Sequence, residues 1–113
     1  MPFIDCKFSM KLAEEKKESV KKKLGECISI MHKPESYLMV GIEDGYSLYF
    51  AGEALEKGAY VSVSLFGKPA AGDCEKFTSA LCALLKDELG IDGGCVYITY
   101  HGVSDWGWNG GNF

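Results

Sequence analysis

The hydrophobic pattern of this chain runs strand, helix, strand, and then repeats that course. Residues 2–8 (PFIDCKF) read as a strand. Residues 12–31 read as a helix, because Val20, Leu24, Cys27, Ile28 and Met31 recur at helical spacing. Its outer face is charged, with Glu14, Glu15 and Glu18 ahead of Lys21, Lys22 and Lys23, an order that suits the helix dipole and predicts a Glu18–Lys22 pair. Lys33-Pro34 ends the helix, since the residue before proline avoids helical geometry, and residues 37–42 (YLMVGI) form a second strand. In the second half, residues 60–66 (YVSVSLF) alternate strictly: Val61, Val63 and Leu65 face one way, and Tyr60, Ser62, Ser64 and Phe66 the other. Asp73 is a candidate N-cap for a helix over 74–89 with Phe77, Leu81, Leu84, Leu85 and Leu89 on one face; Gly90 follows as its terminator, and residues 95–100 (CVYITY) make the last long strand.

Two such units in one domain, residues 1–113, predict an α/β protein of the α+β kind: a sheet with both helices packed on one face. The uncovered face would carry Tyr60, Phe66 and Tyr97, with Tyr37 and Met39 beside them. A monomer would leave these in water, whereas association would bury them. The tail contains Gly102, Gly107, Gly110 and Gly111 and reads either as a flexible end or as a docked segment. It holds both tryptophans, Trp106 and Trp108, and ends in Phe113, so docking is expected, on this subunit or on a neighbour.

Charge narrows the chemistry. The net charge is −4 and the only basic run is Lys21–Lys23, which argues against nucleic-acid binding. No apolar run is long enough for a membrane helix. The N-terminus lacks the basic and apolar regions of a signal peptide, so a cytoplasmic protein is expected. All 12 cations are lysines, so a bound carboxylate would be held without the bidentate guanidinium fork. The five cysteines, Cys6, Cys27, Cys74, Cys82 and Cys95, form no C-x-x-C pair and read as reduced thiols in or near the core. With only His32 and His101 available, neither a metal nor a cofactor is expected.

Several residues suggest a site. Removal of Met1 would leave Pro2 as a secondary amine, and burial would lower its pKa and make it a neutral general base. Taken alone, Met1-Pro2 is also simply a common start. Lys33 stands where it can point between strand ends toward a carboxylate, or be an ordinary solvated lysine. Ser64 and Phe66 close the third strand before Gly67-Lys68, where a backbone N–H can meet a substrate oxygen; Phe66 fits core packing equally. Tyr97 and Thr99 share a strand face, which serves a ligand or cross-strand packing alike.

Together these features resemble the macrophage migration inhibitory factor family and its D-dopachrome tautomerase relatives along nearly the whole chain. The resemblance rests on Met1-Pro2, Lys33-Pro34 followed by Tyr37, Gly67-Lys68, Val96-Tyr97-Ile98, and Trp108-Asn109-Gly110 with Phe113. It implies a four-stranded mixed sheet under two antiparallel helices, assembled as a homotrimer with sites between subunits. It implies a keto–enol tautomerase acting on small aromatic 2-oxo acids such as phenylpyruvate, or on dopachrome derivatives. In that role Pro2 is the base, Lys33 holds the carboxylate, Phe66 and Ser64 assist, Tyr97 and Thr99 come from the neighbour, and Tyr37, Trp106, Trp108 and Phe113 wall the aromatic end.

The departures from the family pattern are Phe66 for a common isoleucine, Thr99 for a common asparagine, and Trp106 for a smaller residue. Gly58 and Val61 stand at the positions of a vertebrate C-x-x-C, so thiol–disulfide exchange is not expected. The lack of arginine sets the chain apart from oxalocrotonate-type relatives, which clamp dicarboxylates with that residue. The alternative function is a cytokine-like signalling or host-interaction protein with a vestigial site, whose partner would be an extracellular receptor reached without a signal peptide.

Overall fold

A computed structural model describes residues Met1–Phe113. Strands β1 (Pro2–Phe8), β2 (Met39–Glu43), β5 (Ala59–Phe66) and β6 (Val96–Val103) form one sheet in the order β2-β1-β5-β6. Helices α1 (Glu14–Cys27) and α2 (Ala71–Leu89) make the crossovers. β1 pairs in parallel with β2 and β5 in parallel with β6, while the two halves join through antiparallel pairing of β1 with β5. The helices run against their preceding strands and therefore antiparallel to each other. Two ribbons complete the chain: β3 (Tyr49–Phe50) with β4 (Glu53–Ala54), and β7 (Gly107–Trp108) with β8 (Gly111–Asn112). Each turns through two residues of positive φ, Ala51-Gly52 and Asn109-Gly110, the geometry that matches the twist of paired strands. No helix is long and apolar enough to cross a membrane.

The alternation expected for β5 holds. Val61, Val63 and Leu65 are buried with Ile4, Cys6 and Phe8 of β1, beneath Val20 and Leu24 of α1 and Phe77, Leu81 and Leu85 of α2. The opposite face is only partly covered within the chain: Met39 is 68% and Tyr97 64% exposed. All five cysteines are free. Cys6, fully buried, has its thiol pushed up to about 12, first by burial and then by the Asp5 charge, so it is an inert core residue.

Several local expectations need correction. The first helix spans Glu14–Cys27 rather than 12–31, and Ile28–Met31 continue it as a tighter 3₁₀ turn. The apolar spacing persists through Met31 because both turns face the core, so periodicity alone does not register the change of pitch. Lys21, not Lys22, reaches Glu18, at 2.8 Å. The lysines lie short of the last turn, so only the acidic end of α1 follows the dipole rule. Asp73 is not the cap of α2. The helix begins three residues earlier, at Ala71 after Ala70, with no side-chain cap, and Asp73 lies in its first turn. Gly90 ends it as expected, in the left-handed region at φ 68°. The second strand begins at Met39, because residues Glu35–Tyr37 form another 3₁₀ turn.

Gly102 of β6 lies against the loop that follows β5, and a Cβ there would stand 2.7 Å from the Gly67 carbonyl oxygen. The next atoms are the Lys68 Cα and the Pro69 ring Cδ, each at 3.3 Å, so backbone and a rigid ring leave nothing flexible to yield. Gly102→Ala is expected to cost about 1–3 kcal/mol. It should appear in urea denaturation as a lower midpoint at unchanged m-value.

Candidate active site

Pro2 opens β1 at the centre of the sheet. Proline is tolerated at a strand's first residue, where no ladder donor is needed, and here it is buried opposite Leu65. The ladder runs one residue further: the Phe66 N–H donates to the Met1 carbonyl at 3.0 Å. Lys33 arrives from the turn after α1, and its Nζ donates to the Phe66 carbonyl at 3.1 Å. Phe66 is therefore gripped at both backbone groups, by the N-terminal residue and by Lys33. The chain's terminal amine is held below the usual α-amino range, first by burial and then by the Lys33 charge.

Beside Pro2 lies a cavity of about 660 Å³, lined mostly by apolar and aromatic groups. Pro2, Tyr37, Ser64, Trp106 and Trp108 all border it, together with Met1. Its size and its few polar groups suit a small organic molecule. Phe3, Met39 and Val103 also line it and were missed as site residues. Phe3 could have been found by alternation from buried Ile4; Ser36 and Leu38, in and just after a 3₁₀ turn, carry no such signal.

The glycine-rich tail folds back on its own subunit as a hairpin closed by Phe113 N–H donating to the Trp106 carbonyl at 3.1 Å. Trp108 meets Tyr37 edge-on at 5.8 Å between centroids and stacks with Phe113 at 6.1 Å, and Phe113 reaches Phe66 at 5.7 Å. The Phe66 ring thus supports the tail and, with Lys33, lines a neighbouring cavity of about 250 Å³ rather than the Pro2 cavity. Tyr97 and Thr99 are not brought to Pro2 within one chain. Tyr97 packs edge-on against Phe50 at 5.4 Å and lines a separate cavity of about 300 Å³. The Thr99 hydroxyl is shared between Tyr60, at 2.8 Å, and His101 Nε2, at 2.9 Å. No cluster of His, Cys, Asp or Glu is placed to hold a metal ion.

The family model for macrophage migration inhibitory factor matches residues 1–113. The chain belongs to this family. Macrophage migration inhibitory factor of Xenopus laevis is 30% identical over 83 residues, 72% of this chain and 71% of that protein. The crystal structure of Leishmania major MIF2 superposes with a TM-score of 0.93 at 29% identity, covering 100% of this chain and 97% of that one. The homologue from Prochlorococcus marinus gives a TM-score of 0.88 at 25% identity, covering 98% of each chain. The four-stranded mixed sheet and its two helices are thus the fold of the macrophage migration inhibitory factor family.

Two expected outcomes test this member's local geometry. Lys33→Ala removes the charge that helps depress the terminal amine and leaves burial in place. The pKa of that amine should rise toward the ordinary value in an NMR titration of protein retaining Met1. Trp108→Ala removes the shared partner of Tyr37 and Phe113. Amide exchange at Phe113 should accelerate roughly tenfold, the scale of a lost aromatic pair, while the Phe66 amide stays protected.

Proposed function

We propose that this family member is a keto–enol tautomerase of small aromatic 2-oxo acids, with the Pro2 nitrogen as its base once Met1 is removed. The observation that carries the reading is the burial of Pro2 at the edge of an aromatic cavity, with the Phe66 N–H and the Lys33 ammonium converging beside it. Loss of Met1 turns an acylated nitrogen into a secondary amine. It also frees the Phe66 N–H, whose partner in this structure is the Met1 carbonyl oxygen. Burial and the nearby Lys33 charge both disfavour a cation there, which favours the neutral amine that can accept a proton.

The neutral amine takes a proton from the carbon alpha to the substrate's carbonyl. The electron pair left on carbon forms the carbon–carbon double bond of the enolate, and the carbonyl oxygen becomes the oxyanion. The protonated Pro2 amine then returns that same proton to the oxygen, which completes the enol and restores the neutral base; the reverse reaction takes the enol proton onto Pro2 and returns it to carbon. Lys33 and the freed Phe66 N–H hold the carboxylate, and Trp108 with Tyr37 faces the aromatic ring. Assembly as a homotrimer would bury the open sheet face and bring Tyr97 and Thr99 of a neighbour to the mouth of the site. The exposure of Tyr97 and Met39 supports that arrangement.

Pro2→Ala, purified with Met1 removed as judged by intact mass, should fold and lose on the order of 100-fold or more in phenylpyruvate kcat/KM. Protein retaining Met1 should be as inactive. Full activity with Met1 retained would exclude the Pro2 nitrogen as base, and full activity of Pro2→Ala would exclude any need for proline's secondary amine.

A further inference from the structure

His32 adopts the left-handed conformation, φ 60° and ψ 34°, at the turn that leaves the first helical segment. That region carries a steric cost for any residue with a Cβ, and such a residue persists there where its surroundings dictate the geometry. Two contacts do so. The His32 N–H donates to the Ser29 carbonyl at 2.9 Å, and the ring Nε2 lies 3.2 Å from Oδ2 of Asp73, in the first turn of α2. The ring itself is 76% exposed, so packing does not account for its place, and an exposed polar contact of this kind adds little to stability.

The next residue is Lys33. Its backbone lies between the left-handed His32 and Pro34, which disfavours helical geometry at Lys33, and Lys33 is in no helix. The reversal at His32 turns the chain off the helix axis and back toward the sheet, and Lys33 then reaches the Phe66 carbonyl. The side chain of Lys33 is long and flexible, so where its ammonium rests depends on this turn. We propose that His32, tethered by Asp73, is a positioning residue for Lys33, setting the ammonium beside the Pro2 cavity without touching substrate. Its effect on turnover rests on the tautomerase reading above; its effect on Lys33 does not.

Both levels are open to measurement. Phe66-Gly67 is the only Phe-Gly pair in the sequence. Protein labelled with carbonyl-¹³C phenylalanine and ¹⁵N glycine therefore gives one cross-peak, reporting the Phe66 carbonyl that accepts from Lys33. Lys33→Ala defines the position of that peak without the bond. His32→Gly tolerates the left-handed geometry but lacks the tether, and should move the peak toward the Lys33→Ala position. Asp73→Ala, which leaves the turn's sequence intact, should move it the same way. His32→Gln keeps a side-chain N–H donor at the reach of the imidazole Nε2, and should stay near wild type.

In the phenylpyruvate assay, His32→Gly should raise KM roughly tenfold, the scale of one charge-assisted hydrogen bond, with kcat changed less than about twofold. In the Lys33→Ala background the same substitution should add almost nothing. An unmoved peak in both His32→Gly and Asp73→Ala overturns the proposal. A full KM rise repeated without Lys33 also overturns it, since His32 would then act on the fold at large. If wild type shows no turnover, the tautomerase reading fails, and the peak alone decides whether His32 positions Lys33.

Discussion

The antiparallel pairing of β1 with β5 is the interaction on which the rest depends. It joins two β-α-β halves into one sheet and places the N-terminal strand at the centre rather than the edge. A chain terminus is usually mobile, but here the ladder holds it to its last residue, with Met1 bonded to Phe66. The same register lines Ile4, Cys6 and Phe8 up with Val63, Val61 and Ala59 to make the floor of the core. One set of hydrogen bonds thus supports both the stability of the sheet and the placing of Pro2. A slip of one residue would reverse the faces and turn the apolar set toward solvent.

Around that anchor the site is assembled from parts distant in sequence. Lys33 comes from the end of the first helical segment, Phe66 from the end of β5, and the aromatic wall from the C-terminal hairpin and Tyr37. The only cationic side chains besides histidine are lysines, so a carboxylate bound here would meet a point charge and backbone N–H groups rather than a guanidinium fork. Phe66 links these parts, through its carbonyl to Lys33, its N–H to Met1 and its ring to Phe113.

Much of the fold was legible in the sequence. The alternation of Val61, Val63 and Leu65 and the helical spacing of Phe77, Leu81 and Leu85 are consequences of local geometry, and both sets are buried as read. The boundaries were less legible. The apolar spacing through Met31 concealed the shift to a 3₁₀ turn, and Asp73 was offered as a cap because its side chain is suited to one, although α2 starts at Ala71 without any. Phe66 was read as a backbone contact at the site or as a core residue; its backbone meets Met1 and Lys33, while its ring supports the tail. That distinction depends on where Phe113 docks, which periodicity does not encode.

By itself the sequence determined the order of the four long strands and two helices, the inward and outward faces of β5, the helix stripes, and the resemblance that places the chain in its family. These follow from side chains repeating at the period of their own backbone, which neighbours within a few residues establish. Only the tertiary structure decided that Met1, Lys33 and Phe66 meet, that the glycine-rich tail closes on its own subunit, and that Tyr97 and Thr99 lie away from Pro2 within one chain. Those contacts join residues far apart along the chain. They are set by strand register, by the left-handed reversal at His32 and by the hairpin at Asn109-Gly110, each stabilised by partners that local pattern does not name.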